Sequence, residues 1–178
     1  MSRSLRKFVL TAHITFAVSW LGTVAGFLAF AIVGLTNQEA QIVRSAYLAM
    51  DLITRFVILP LSFAPLITGP ILSLGTPWGL FRHYWIIAKL IITVLSTVIL
   101  LIHLQPIYYL SSAALEGTLS NADRGLQIQM VVASAAALIA LLVANFLAVY
   151  KPKGMTPYGW RKQYEERTLS QPSTEVGK

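Results

Sequence analysis

The chain has 178 residues, of which 56% are hydrophobic and 12% charged, with a mean hydropathy of +0.66. That composition excludes a soluble domain of ordinary make-up. The absence of cysteine excludes disulfides, thiolate metal sites and iron–sulfur clusters. The net charge of +7 is no nucleic-acid footprint, because the basic residues gather at the ends of apolar runs, as membrane topology demands.

The first apolar run, 8–35, is long enough to cross a hydrocarbon core of ~30 Å, which needs ~20 residues of helix. It is too long for a cleavable signal peptide, and no small-residue cleavage site follows it before the next run. It carries His13, Ser19, Trp20 and Thr23, and its Gly22-Thr-Val-Ala-Gly26 stretch is a small-residue face that suits close approach of another helix, including one from a second copy.

The second run, 46–74, opens with Asp51 and Arg55, four residues apart and therefore on one helical face. Pro60, Pro65 and Pro70 each remove a backbone donor, so this span is expected to bend. The segment 75–83 that follows is short and interfacial, with Arg82 and His83 at its end.

The third run, 84–110, places Lys89, Thr93, Ser96, Leu100 and His103 on one face, a polar stripe expected to point into a bundle. Trp78, Tyr84, Trp85, Tyr108 and Tyr109 fit an aromatic belt at the membrane boundaries. The fourth run, 128–150, has small residues at Ala133, Ser134, Ala135, Ala136, Ala137, Ala140 and Ala144 as its packing side, and Asn145 in its last third. Beyond residue 150, Pro, Gly and charge occur without apolar periodicity. Residues 151–167 are expected near an anionic lipid surface, and the last ten residues are expected to be disordered.

Four spans joined by short loops predict an all-α, polytopic four-transmembrane-helix bundle over 1–150, with a tail over 151–178. Arg3, Arg6 and Lys7 precede the first span, Arg82 lies between the second and third, and Lys151, Lys153, Arg161 and Lys162 follow the fourth. The positive-inside rule then puts both termini in the cytoplasm and the loops 36–45 and 111–127 outside.

Alternating direction sorts the intramembrane polar residues by depth. His13, Lys89 and Asn145 fall in the inner half, and with Trp20 they are expected to line a cavity there, His13 being the ligand-binding residue. Asp51, Arg55 and His103 fall in the outer half and are expected to form one hydrogen-bonded cluster. Lys89 and His103 are separated by ~21 Å of helix rise, so His13 and His103 are not expected to ligate one metal. Bland alternatives accompany each: Lys89 can snorkel to the interface, and Asp51–Arg55 can be a purely structural pair.

Two segments carry a resemblance. His13-(6)-Trp20-Leu-Gly22, and the stretch from Ser73 through Trp78, Arg82, His83, Tyr84 and Trp85 to Lys89, resemble small bacterial four-helix membrane proteins without an assigned function. More distantly the chain resembles the HemJ-type protoporphyrinogen oxidases and the membrane domain of CopD copper-resistance proteins. In the HemJ type a first-span histidine is followed seven residues later by Trp, as His13 and Trp20 are. Its Trp-x-His-x-Lys segment is matched by Trp85 and Lys89, but Ile87 takes the place of the histidine. A later histidine in that span of the HemJ type also stands one turn nearer the lysine than His103 does.

The resemblance implies a bacterial inner-membrane protein that binds haem b or a porphyrin-like cofactor in a redox role, with His13 as the axial ligand and Lys89 beside a propionate. The CopD resemblance implies metal handling instead, for which three histidines at different levels and four methionines make a poor copper path. A third reading is a non-enzymatic membrane partner or transport subunit, with the polar stripe as an association face.

Overall fold

The computed structural model describes residues 2–75 and 79–170; Trp78 and residues 171–178 lie outside the described residues, and of the ten final residues expected to be disordered, Leu169 and Ser170 are instead the end of a helix. The fold is an all-α bundle of four helices long and apolar enough to cross a membrane: α1 (Arg3–Thr36), α2 (Ala40–Leu74), α3 (Tyr84–Glu116) and α4 (Arg124–Tyr150). A shorter helix, α5 (Pro157–Ser170), follows. α1 packs on α2 and α4, and α3 packs on the same two, so the four close an up-and-down square with the diagonals nearly out of contact. The chain is thus a multi-pass membrane protein.

Each helix buries one stripe. Along α4 this is Met130, Ser134, Leu141 and Ala144, while Ala136 on the same small-residue stretch faces outward. Trp20, Val24, Phe27 and Ala31 of α1, Tyr47, Met50 and Ile58 of α2, and Ile107 and Leu110 of α3 complete the core. The remaining Leu, Ile and Phe side chains lie largely exposed around the bundle, such as Phe56, Ile67, Ile102 and Val149, which in this chain means facing lipid. Gly22 and Gly26 are also outward: a Cβ on either would meet nothing within 4 Å. Among the described residues no neighbour therefore packs against the Cβ positions of Gly22 and Gly26.

The helices outrun the apolar runs because polar residues cap them. The Ser2 side chain accepts from the Leu5 amide at the start of α1. α3 continues past Leu110 to Glu116 and stops at Gly117, whose φ of 71° suits glycine, with the Thr118 amide returning to the Ala113 carbonyl. A 3₁₀ turn, Asn121–Asp123, holds a reciprocal Ser120/Asp123 capping box and leads into α4.

The prolines of α2 act through a widened turn. Residues Thr54–Ile58 form a π turn in which the Leu59 amide bonds the Thr54 carbonyl, five residues back. Pro60 has no amide proton, and its ring would clash with the carbonyl four residues earlier, so one wider turn relieves the conflict and the helix continues.

The tail is more ordered than its composition suggests. Residues 152–156 run back along 79–83: His83 pairs with Met155 in an antiparallel bridge, and the Thr156 amide bonds the Arg82 carbonyl at 2.9 Å. The Thr156 hydroxyl donates to the Phe81 carbonyl at 2.6 Å and accepts from the Gly159 amide, which caps α5. Arg82 and Glu166 form an ion pair. α5 is thereby clamped over the segment between α2 and α3, at the same end of the bundle as the start of α1.

Candidate functional site

His13 is half-buried on α1 and faces α2, where its Nδ1 lies 2.8 Å from the Thr68 Oγ1. The Thr68 hydroxyl in turn donates to the Ala64 carbonyl at 2.7 Å. A hydroxyl has one proton to give; with that proton directed at Ala64, Oγ1 is left as an acceptor and Nδ1 is the protonated nitrogen. Nε2 then carries the lone pair and makes no hydrogen bond among the described residues. Gly69 follows Thr68, and a Cβ there would already touch His13 Cε1 at 3.4 Å, so the glycine gives the ring its room.

Lys89 of α3 approaches the same end. It is half-buried, its Nζ lies 6.0 Å from the centre of the Trp85 ring, and its charge acts on His13. Lys151, just past α4, is within electrostatic reach of Lys89. Lys89 and Lys151 make this end of the bundle basic. Lys89 and His13, expected to share a site, lie at the same end of the bundle, on the diagonally opposed helices α3 and α1.

Trp20 and Asn145 do not join them. The Asn145 amide donates to the Leu141 carbonyl of its own helix at 2.8 Å. Trp20, two turns further along α1, lines an apolar cavity of ≈ 60 Å³ with Ser96, His103, Met130, Ser134 and Leu141, and neither His13, Lys89 nor Asn145 borders it. Depth grouped His13, Lys89 and Asn145, with Trp20 added to them; two turns of rise set Trp20 apart, and Asn145 turns to its own helix. A space of that size admits a water molecule or two and is too small for a porphyrin.

The outer cluster also divides. The Arg55 Nε donates to the Asp51 Oδ1 at 2.7 Å, and the Arg55 guanidinium stacks over Tyr108 at 4.8 Å. His103 turns elsewhere: its Nδ1 donates to the Ile99 carbonyl at 2.7 Å, and its Nε2 lies 3.3 Å from the Gln129 side-chain amide of α4. His103 and Tyr108 are five residues apart, ~140° around α3, so a residue pair reaching Tyr108 cannot also reach His103. The expected three-residue cluster is an ion pair on one face and a His–Gln pair on another.

The α3 stripe does point inward, with Ser96 buried and Lys89, Thr93, Leu100 and His103 half-buried. Beside it Thr97, also buried, bonds the Thr93 carbonyl at 2.9 Å and approaches the Ser62 carbonyl of α2. Thr68, Ser62, Thr97 and Gln129 were not among the expected site residues. Thr68 alone had a signal in the sequence, as a hydroxyl beside Gly69-Pro70 on a proline-rich helix, where polar groups find unusual partners.

Among the described residues no three His, Asp or Glu side chains gather as a metal site. No family model, curated protein or solved structure matches the chain.

Proposed function

We propose that this protein is a bacterial inner-membrane protein, both termini cytoplasmic, that holds haem b or a similar porphyrin anion at His13 in a redox role. The observation that carries the reading is the His13–Thr68 bond, which orients the ring and leaves Nε2 as a free σ-donor. Lys89 supplies the complementary charge for a carboxylate at the basic end of the bundle. The residues fit a group with one axial imidazole and one anionic edge, and the absence of cysteine makes a nitrogen ligand the natural one. Bound haem supplies one-electron chemistry. The chain's own part is to fix the imidazole tautomer through Thr68, to hold the anionic edge with Lys89, and to keep the surroundings apolar with lipid-facing helices.

The test is an absorption spectrum of the detergent-purified protein expressed with haem available. A Soret band is expected, lost or strongly shifted by His13→Ala and retained by His103→Ala. A colourless preparation defeats the proposal, and the opposite response of the two variants moves the ligand to the other half of the bundle.

A further inference from the structure

α5 (Pro157–Ser170) is too short and too polar to cross a membrane, yet the fold holds it at the level where the apolar run of α3 begins. Tyr84, the first residue of that span, gives its amide to the Gly154 carbonyl at 3.4 Å, and the Thr156 amide and hydroxyl bond the Arg82 and Phe81 carbonyls. The backbone of Gly159 then lies against that of Arg82, since a Cβ there would stand 3.1 Å from the Arg82 Cα. Two turns later Glu166 returns to the Arg82 guanidinium. A helix fastened to one residue at both ends of a ~10 Å stretch runs along the boundary and does not project from it.

The fastened side of α5 carries Gly159, which is buried, Gln163, which is half-buried, and Glu166. At ~100° per residue, Trp160, Tyr164 and Arg167 lie ~80–140° around from Gly159, and Arg161 follows at ~200°. Trp160 is 63% and Tyr164 75% exposed, and among the described residues α5 has no extensive packing on α1–α4 that would cover them. Both carboxylates of the helix are engaged away from this side, Glu165 with Lys162 and Glu166 with Arg82. What remains is a side with two aromatic rings, two guanidinium groups and no acid.

We propose that α5 is a membrane-surface helix that seats Trp160 and Tyr164 among lipid headgroups and sets Arg161 and Arg167 on the phosphates of anionic lipids. The occupant is a bilayer and not a soluble protein because the helix is fastened at the boundary of the spans, where headgroups are the surrounding phase. The indole N–H and the phenol O–H suit that phase, their rings facing the acyl chains. A guanidinium grips a phosphate with two parallel hydrogen bonds, and an acid-free side meets an anionic surface without repulsion. Composition places residues 151–167 near such a surface; the tether to Arg82 decides which side of the helix meets it. The contact is independent of any cofactor at His13.

The experiment uses the full chain, which has no cysteine of its own, so that one spin label can be placed at a chosen position. Tyr164→Cys puts the label on the aromatic side, and Lys162→Cys puts it ~160° away around the helix. Each is measured in nanodiscs of phosphatidylcholine alone and of phosphatidylcholine with phosphatidylglycerol. With phosphatidylglycerol, the label at 164 is expected to meet dissolved oxygen in preference to a water-soluble nickel chelate, and the label at 162 the reverse. Phosphatidylcholine alone, or high salt, should shift the 164 label toward the chelate. Adding Arg161→Gln and Arg167→Gln to the Tyr164→Cys protein should lower the ratio of seated to free α5 about fivefold per arginine. Equal chelate access at 164 and 162 with phosphatidylglycerol present overturns the proposal and leaves the aromatic side open to a protein partner. A seated label that ignores both the lipid charge and the arginine replacements overturns it as well.

Discussion

The His13 imidazole and the Thr68 hydroxyl, 55 residues apart in the chain, meet at 2.8 Å across the α1–α2 contact. The bond decides which ring nitrogen keeps its proton, so it can be read without any ligand. Nitrogen-15 NMR of histidine-labelled protein at neutral pH should show His13 as the Nδ1-protonated tautomer. Thr68→Val removes the acceptor and should shift the population toward the commoner Nε2-protonated form, whereas Thr68→Ser should keep it. An unchanged tautomer in Thr68→Val would mean that the hydroxyl does not orient the ring. If haem is bound, the same variant should weaken it about 10–100-fold, as loss of an outer-shell partner does.

Gly159 makes a prediction with an inverted sign. In an exposed helix interior, glycine to alanine stabilises by up to about 1 kcal/mol. Here a Cβ would overlap the Arg82 carbonyl and lie 3.1 Å from the Arg82 Cα, both backbone atoms with little freedom to move. Gly159→Ala should therefore push α5 off the 79–83 segment, break the Thr156–Arg82 pairing and speed proteolysis beyond Tyr150. The melting of the four-helix bundle should change little, because the core residues lie elsewhere. Unaltered proteolysis would show that α5 docks without this contact.

How much of this could be read from the residues depends on which dimension is asked about. The runs 8–35, 46–74, 84–110 and 128–150 fall inside the four long helices, because hydropathy reports directly on lipid contact. The extra turns come from polar caps such as Ser2 and the Ser120/Asp123 box, which a hydropathy window treats as loop. Facing within one helix was also legible: the 3.6-residue period put Lys89, Thr93, Ser96 and His103 on the inward side of α3. What depth and period leave open is the rotation of one helix against another. That is why Asn145 turned back on Leu141, and why His103 found Gln129 rather than Arg55. The π turn at 54–58 adds to this, since it rotates everything after Pro60 relative to Asp51. The order of the tail rests on a handful of backbone bonds around Thr156, and such pairing leaves no hydropathy signal.

Orientation has a direct test. Arg3, Arg6, Arg82, Lys151 and Lys153 lie at one end of the up-and-down bundle, with Lys162 on α5 beside them, whereas Arg44 and Arg124 are the basic residues nearest the other. By the positive-inside rule the first end is expected to be cytoplasmic. Reporter insertions in the 37–39 and 117–120 turns should read outside, and those in 79–83 and after Lys153 inside. An external reading after Lys153 would invert the assignment.

The Asp51–Arg55 pair should behave as a pair and not as two independent charges. The Asp51 side chain is 17% exposed and that of Arg55 46%, so the carboxylate is the more enclosed partner. Arg55→Leu leaves it without its cation and the Tyr108 ring without its stacked guanidinium, at a cost of about 1–3 kcal/mol for an unpaired polar group in apolar surroundings. Replacing both residues, Asp51→Leu with Arg55→Leu, removes the uncompensated charge and should recover much of that loss. His103→Ala should leave the energetics of the pair untouched, because the His103 ring bonds Ile99 and Gln129 on another side of α3. Thermal melting of the three variants in one detergent gives the comparison. If the double variant melts as low as Arg55→Leu, the ion pair contributes nothing, and the damage comes from the lost stacking on Tyr108.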